Sequence, residues 1–158
     1  MANFNFAIEK TLKWEGGYVN DPKDPGGETK YGISKASYPS LDIANLSLTQ
    51  AKDIYKKNYW DKIQGDKINS QKIAESIFDF AVNAGVSTSV KLTQQILNVN
   101  IDGVLGNQTL NALNSFNQEL FLLKFTLAKI QRYIQICNNR PSSIKFLFGW
   151  IRRTLEHL

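Results

Sequence analysis

The sequence predicts a mainly α-helical protein with a small loop and β-hairpin lobe near the N-terminus. Three observations carry that prediction. From Leu48 onward, apolar residues recur at helical spacing through most of the chain. Between Asn20 and Gly27, two prolines and two glycines in eight residues exclude a helix or a long strand. Just beyond, Thr29, Tyr31 and Ile33 alternate as in a short hairpin strand over Glu28 to Ser34.

Taken in order, the first helix is expected from about Phe4 to Glu15, with Ile8, Leu12 and Glu15 on one face and Gly16-Gly17 stopping it. Ser47 or Thr49 can cap a helix carrying Ala51, Ile54, Tyr55 and Asn58. Another helix carries Ile73, Ile77, Phe80, Ala81 and Ala84 and ends at Gly85. A shorter one spans Thr88 to Leu97, burying Val90, Ile96 and Leu97. Asp102 to Asn107 reads as a loop, with Thr109 near the start of a helix leading to Leu113. A long helix covers Gln118 to Ile136, Asn138-Asn139-Arg140-Pro141 breaks it, and Ser142 or Ser143 starts the last one. Trp150, spaced with Leu147, Ile151 and Leu155, reads as core, and Cys137 as a small buried hydrophobe.

Composition narrows the chemistry. The 158 residues suit one compact unit that needs no disulfide or metal for stability. One cysteine and one histidine exclude an internal disulfide and a zinc site of the usual three or four Cys/His ligands. A Ser-His-Asp or Cys-His machine would depend on His157, the penultimate residue, where chains often fray. Carboxylate chemistry is what remains for an enzyme. The net charge of +5 suits an acidic polymer, but no basic-aromatic stripe points to nucleic acid. No apolar run is long enough to span a membrane, and Met1 to Phe6 lacks the pattern of a signal peptide.

The polar residues of the irregular stretch form a candidate site. A glycosidase needs one acid to protonate the leaving oxygen and a second group to position water or stabilise positive charge. Glu15, beside two glycines at the negative end of a helix dipole, is placed to hold a proton for the first task. Asp24, in the Pro22–Gly27 loop, and Thr29 suit the second. On spacing alone two readings stand: this catalytic set, or an exposed helix-end glutamate with an ordinary turn aspartate.

The run Trp14-Glu15-Gly16-Gly17-Tyr18 through Asp24-Pro25-Gly26-Gly27-Glu28-Thr29-Lys30-Tyr31-Gly32-Ile33 strongly resembles the N-acetylmuramidases of glycoside hydrolase family 108. Asp79-Phe80-Ala81-Val82-Asn83-Ala84-Gly85 resembles a second segment of that family. The resemblance implies a lysozyme-like fold and makes Glu15 the catalytic residue. A more distant likeness to phage lysozymes extends the set to Asp24 and Thr29. Tyr18 and Tyr31 are then aromatic candidates for a sugar face, and Asp79 and Asn83, four apart on one helix face, are candidates for the cleft.

Farther on, Asp102-Gly103-Val104-Leu105-Gly106-Asn107-Gln108-Thr109 and the ending Phe146, Gly149, Trp150, Arg153 resemble a predicted peptidoglycan-binding domain. The expected organisation is a catalytic region over 1–90 and a helical peptidoglycan-binding region over 91–158, packed as one unit. The resemblances imply a monomeric peptidoglycan hydrolase with no cofactor, no nucleic-acid partner and no stable membrane insertion. It would be made in the cytoplasm and act on the cell wall, as a phage endolysin released through a holin does. The rival readings are a lytic transglycosylase and a non-catalytic wall-binding or secretion-accessory protein.

Overall fold

The computed structural model describes residues 1–20 and 27–158. Helix α1 spans Phe4–Leu12, and the Asn3 side chain caps it by accepting from the Asn5 amide. Two short strands follow, β1 (Thr29–Lys30) and β2 (Ile33–Ser34), paired antiparallel with Thr29 opposite Ser34. Val19 and Thr29 exchange backbone hydrogen bonds of 2.8 Å, which draws the segment after α1 against β1. Helix α2 (Leu48–Tyr55) starts with a capping box in which Ser47 and Gln50 satisfy each other's backbone amides. It runs on as a π-helical turn, Lys56–Trp60, closed by the Asp61 amide donating to the Lys56 carbonyl.

Helix α3 (Gln71–Ala84) is capped by Ser70 and ends at Gly85, whose φ of +91° a larger residue rarely adopts. Then come α4 (Val86–Leu97), α5 (Asn107–Ser115), α6 (Gln118–Asn139) and, after a 3₁₀ turn at Pro141–Ser143, α7 (Ile144–Leu155).

The buried core is built around α3. Every residue from Ile73 to Ala81 is buried, and the helix packs on α1, α4 and α6. Phe78 meets Phe4 and Trp60 edge to face, with centroids 5.6 to 5.9 Å apart. Phe80 meets Phe125 in the same way at 5.7 Å, and Tyr133 stacks on Trp150 at 5.1 Å, so aromatic contacts join α3 to α6 and α6 to α7. Each such ring contributes about 1.5–3 kcal/mol on burial.

The charged residues inside this core are paired, as burial requires. Glu75 accepts from Lys10 at 2.6 Å. Lys129 reaches from α6 to the Ser76 hydroxyl at 3.1 Å, with its ammonium 5.0 Å from the Phe125 ring centre. Burial pushes the Lys129 ammonium down to about 8.

The structure departs from the expected elements in several places. Helix α1 stops at Leu12 and not at Glu15, because the Trp14 amide bonds to the Thr11 carbonyl, tightening the last turn and leaving Glu15 in a bend. Tyr31 is not a strand residue: with Gly32 it forms the two-residue hairpin turn, at φ +52° and +75°. On α7, Trp150 and Leu147 pack on the core, whereas Leu155 is 49% exposed. Among the described residues, no helix is long and apolar enough to cross a membrane.

Candidate active site

Glu15 lines an open cleft of about 440 Å³ between the hairpin lobe and the helices. The hairpin turn supplies Gly32 and Ile33, and the segment after β2 supplies Ser37 and Tyr38. Opposite them stand Tyr55 and Tyr59 from α2 and its π turn, Asn83 from α3 and Arg153 from α7. The wall is cross-braced: Asn58 donates to the Tyr38 hydroxyl at 2.8 Å, and Tyr55 donates to the Tyr31 carbonyl at 2.8 Å. Burial and the neighbouring Glu15 push the Tyr55 phenol well above its ordinary range, so it stays a neutral donor.

Gly32 explains how the hairpin approaches the carboxylate. A Cβ on that residue would stand 2.5 Å from Glu15 Oε2 and 2.5 Å from the Tyr55 hydroxyl. Any side chain would displace the acid, and the positive φ disfavours one in any case.

A guanidinium holds Glu15 from behind. Arg153 Nη1 donates to Glu15 Oε1 at 3.0 Å, while its Nε and Nη2 grip Asp79 at 2.8 to 3.1 Å. Thr11 also donates to Asp79, at 3.2 Å, and His157 Nε2 lies 3.4 Å from Asp79 Oδ2. Asp79 is held far below the ordinary carboxylate range: burial opposes ionisation, but the bonds from His157 and Arg153 outweigh it. Burial lowers Arg153 and contact with Asp79 and Glu15 raises it, so both charges persist at every working pH. Trp14 Nε1 donates to Glu156 at 2.9 Å, pinning the segment that carries Glu15 to the last turn of the chain.

The residues expected at the site fall into distinct places. Glu15 and Asn83 line the cleft. Asp79, expected to face the cleft, does not line it: it is 4% exposed, and both of its oxygens are taken up by Arg153, His157 and Thr11. Thr29 lies in β1, with its hydroxyl 3.5 Å from the Gly27 carbonyl. Tyr18 is 46% exposed and Tyr31 sits in the hairpin turn; neither is among the described residues lining the cleft. Asp24 lies outside the described residues.

Arg153, Tyr38, Tyr55 and Tyr59 are site residues that sequence reasoning missed. Arg153 stands in a quoted motif, but its partners are 138 and 74 residues away. Tyr55 read as part of an ordinary amphipathic helix, and nothing singled out Tyr38 or Tyr59. His157, expected to fray, is buried behind Asp79.

In the C-terminal region the Asp102–Thr109 motif is built around Gln94, which is 1% exposed. Its amide nitrogen lies within hydrogen-bond distance of Asp102, the Val104 carbonyl and the Thr109 hydroxyl, and its oxygen accepts from the Gly103 amide at 2.9 Å.

A helical lobe and a hairpin lobe, with a glutamate held in the cleft between them, define a lysozyme-like glycoside hydrolase. The comparisons with known proteins agree. Residues 8–85 match the family model described as Glycosyl hydrolase 108, and residues 88–155 match one described as Predicted Peptidoglycan domain. The structure is similar to SagA of Brucella abortus, with a TM-score of 0.81 and 30% identity over 98% of this chain and 90% of that one. No curated protein sequence matches the chain. The chain belongs to glycosyl hydrolase family 108, and it is a glycoside hydrolase that acts on peptidoglycan. Family membership decides against the non-catalytic reading.

Proposed function

We propose that the protein is an N-acetylmuramidase that hydrolyses the β-1,4 bond between N-acetylmuramic acid and N-acetylglucosamine, with Glu15 as general acid. The observation that carries this reading is the carboxyl group of Glu15, aimed into an open cleft by Arg153 with Gly32 cleared from its path. Protonated Glu15 gives its proton to the glycosidic oxygen as that bond breaks. Asp24 and Thr29 are assigned to the water and to the positive charge that develops on the sugar. Asn83 and the tyrosines of the cleft wall contact the glycan, with Tyr18 and Tyr31 as outer contacts. Because Glu15 must carry its proton and the second group must be ionised, activity follows a bell-shaped pH profile whose basic limb reports Glu15.

The family and the positive charge fit a phage or prophage endolysin that acts as a monomer on the cell wall after release through a holin. A zymogram on purified peptidoglycan tests the chemical assignment. The protein clears the gel and Glu15→Gln does not; equal clearing by the variant refutes Glu15 as the acid.

A further inference from the structure

A general acid held by an arginine poses a problem. The guanidinium aims the carboxyl group, but a bare positive charge 3.0 Å away favours the carboxylate, which has no proton to give. The arrangement around Arg153 contains an answer. Its fork is two-sided: one nitrogen bonds Glu15, and two others bond Asp79, whose side chain is 6% exposed. We propose that Asp79 and Arg153 act as a neutral positioning pair, in which Arg153 orients the acid and Asp79 offsets the guanidinium charge so that the oriented carboxyl group keeps its proton. The proposal rests on the reading of Glu15 as the acid. It also makes the C-terminal region a contributor to the reaction site, since Arg153 lies within the segment that matches the peptidoglycan domain.

The charges around Glu15 support this assignment. Arg153 from α7 bonds Glu15, and Tyr55 from α2 and Tyr59 from the π turn lie close enough to feel its charge. Burial drives both phenols upward, so neither carries charge in the acid or neutral range. His157 and Lys129 stand one step back: His157 touches Asp79, and Lys129, in α6, acts on Asp79 and Arg153. Asp79 is therefore the anion that balances Arg153. Its burial and its bond from Thr11 fix it in that place.

The test is a set of pH profiles of kcat and kcat/KM on soluble, uncross-linked glycan strands, with folding checked by thermal unfolding. Asp79→Asn leaves the arginine charge unbalanced, so the basic limb moves to lower pH by about one unit or more. Arg153→Lys keeps the charge and loses the two-sided fork. The limb stays in place, KM changes little and kcat falls on the order of 10- to 100-fold. The double variant Asp79→Leu with Arg153→Met removes both charges together, a replacement that buried ion pairs often tolerate. Its limb lies near that of the wild type while kcat stays low.

A limb unmoved or shifted to higher pH in Asp79→Asn overturns the proposal, as does full kcat in Arg153→Lys. Should Asp79→Asn not fold, the other two variants decide, because a double variant with a displaced limb contradicts a neutral pair. Failure of the underlying reading looks different: Glu15→Gln then stays active, whereas failure of the pair alone leaves Glu15→Gln inactive.

Discussion

The two regions of the molecule each carry a sequence motif built on an acidic residue and glycines, and they use it in opposite ways. In the C-terminal region, Asp102 accepts from Gln94 and from the Val104 amide, and Gln94 closes the turn by bonding Gly103, Val104 and Thr109 as well. Its hydrogen-bonding groups are spent on one another, which is how a structural turn is built. In the N-terminal region, Glu15 is held by Arg153 through Oε1, and among the described residues nothing donates to Oε2, which faces Gly32 at the cleft. A motif whose polar atoms satisfy each other holds the fold. A motif that leaves one held but unspent group in a cleft is free for chemistry.

That contrast predicts variants that separate activity from stability. The largest effect is expected at Glu15. Glu15→Gln keeps the shape and removes the proton donor, so turnover falls by at least about 10²-fold, with thermal unfolding nearly unchanged. Loss of stability to the same degree would place Glu15 with the structural group.

Gly32→Ala comes next. Its methyl group collides with Glu15 and Tyr55 at a positive φ, so turnover falls on the order of 10²-fold through misplacement of the acid, and stability falls by about 1–2 kcal/mol. Full activity would mean that the hairpin can retreat without cost to the chemistry.

Gln94→Leu should show the reverse pattern. It orphans buried partners, lowers stability by about 2–4 kcal/mol, and leaves turnover per folded molecule on soluble glycan unchanged. A selective loss of turnover would break the comparison.

The smallest effect is expected at Lys129. Its ammonium titrates at about 8 in the folded protein, below the 10.5 of a free side chain, so the folded state binds fewer protons between those values. The wild type therefore gains stability as pH rises from about 8 to 10.5, and it bears a cost of about 1–3 kcal/mol at neutral pH. Lys129→Met removes the cost and the pH dependence, and activity is retained. Equilibrium unfolding at pH 7 and pH 10 checks both.

Much of the fold was legible because it depends on local signals. Helical periodicity located α2 to α7, Gly85 ended α3 and Pro141 broke α6 from α7. The end of α1 was misjudged because the glycines at 16 and 17 signal a stop, whereas the tightened turn at Trp14 is set by packing.

The site was legible only in part. Glu15 stood out through its motif. Asp79 carried the right kind of signal, a carboxylate on an apolar helix, but periodicity could not say whether it faced sugar or an arginine. Its partner Arg153 lies 74 residues away, and only the packing of α7 brings the two together. His157 was misread for a related reason: its burial depends on Asp79, which the end of the chain meets only in the folded state.

The central claim, hydrolysis of the muramic acid bond by an acid at Glu15, is tested most directly by the ends of the products. Purified peptidoglycan is digested to completion, and the soluble fragments are analysed by mass spectrometry before and after borohydride reduction. The account predicts fragments that end in reducible N-acetylmuramic acid, released by the wild type and absent with Glu15→Gln. Fragments ending in anhydro-muramic acid, or in reducible N-acetylglucosamine, would contradict it.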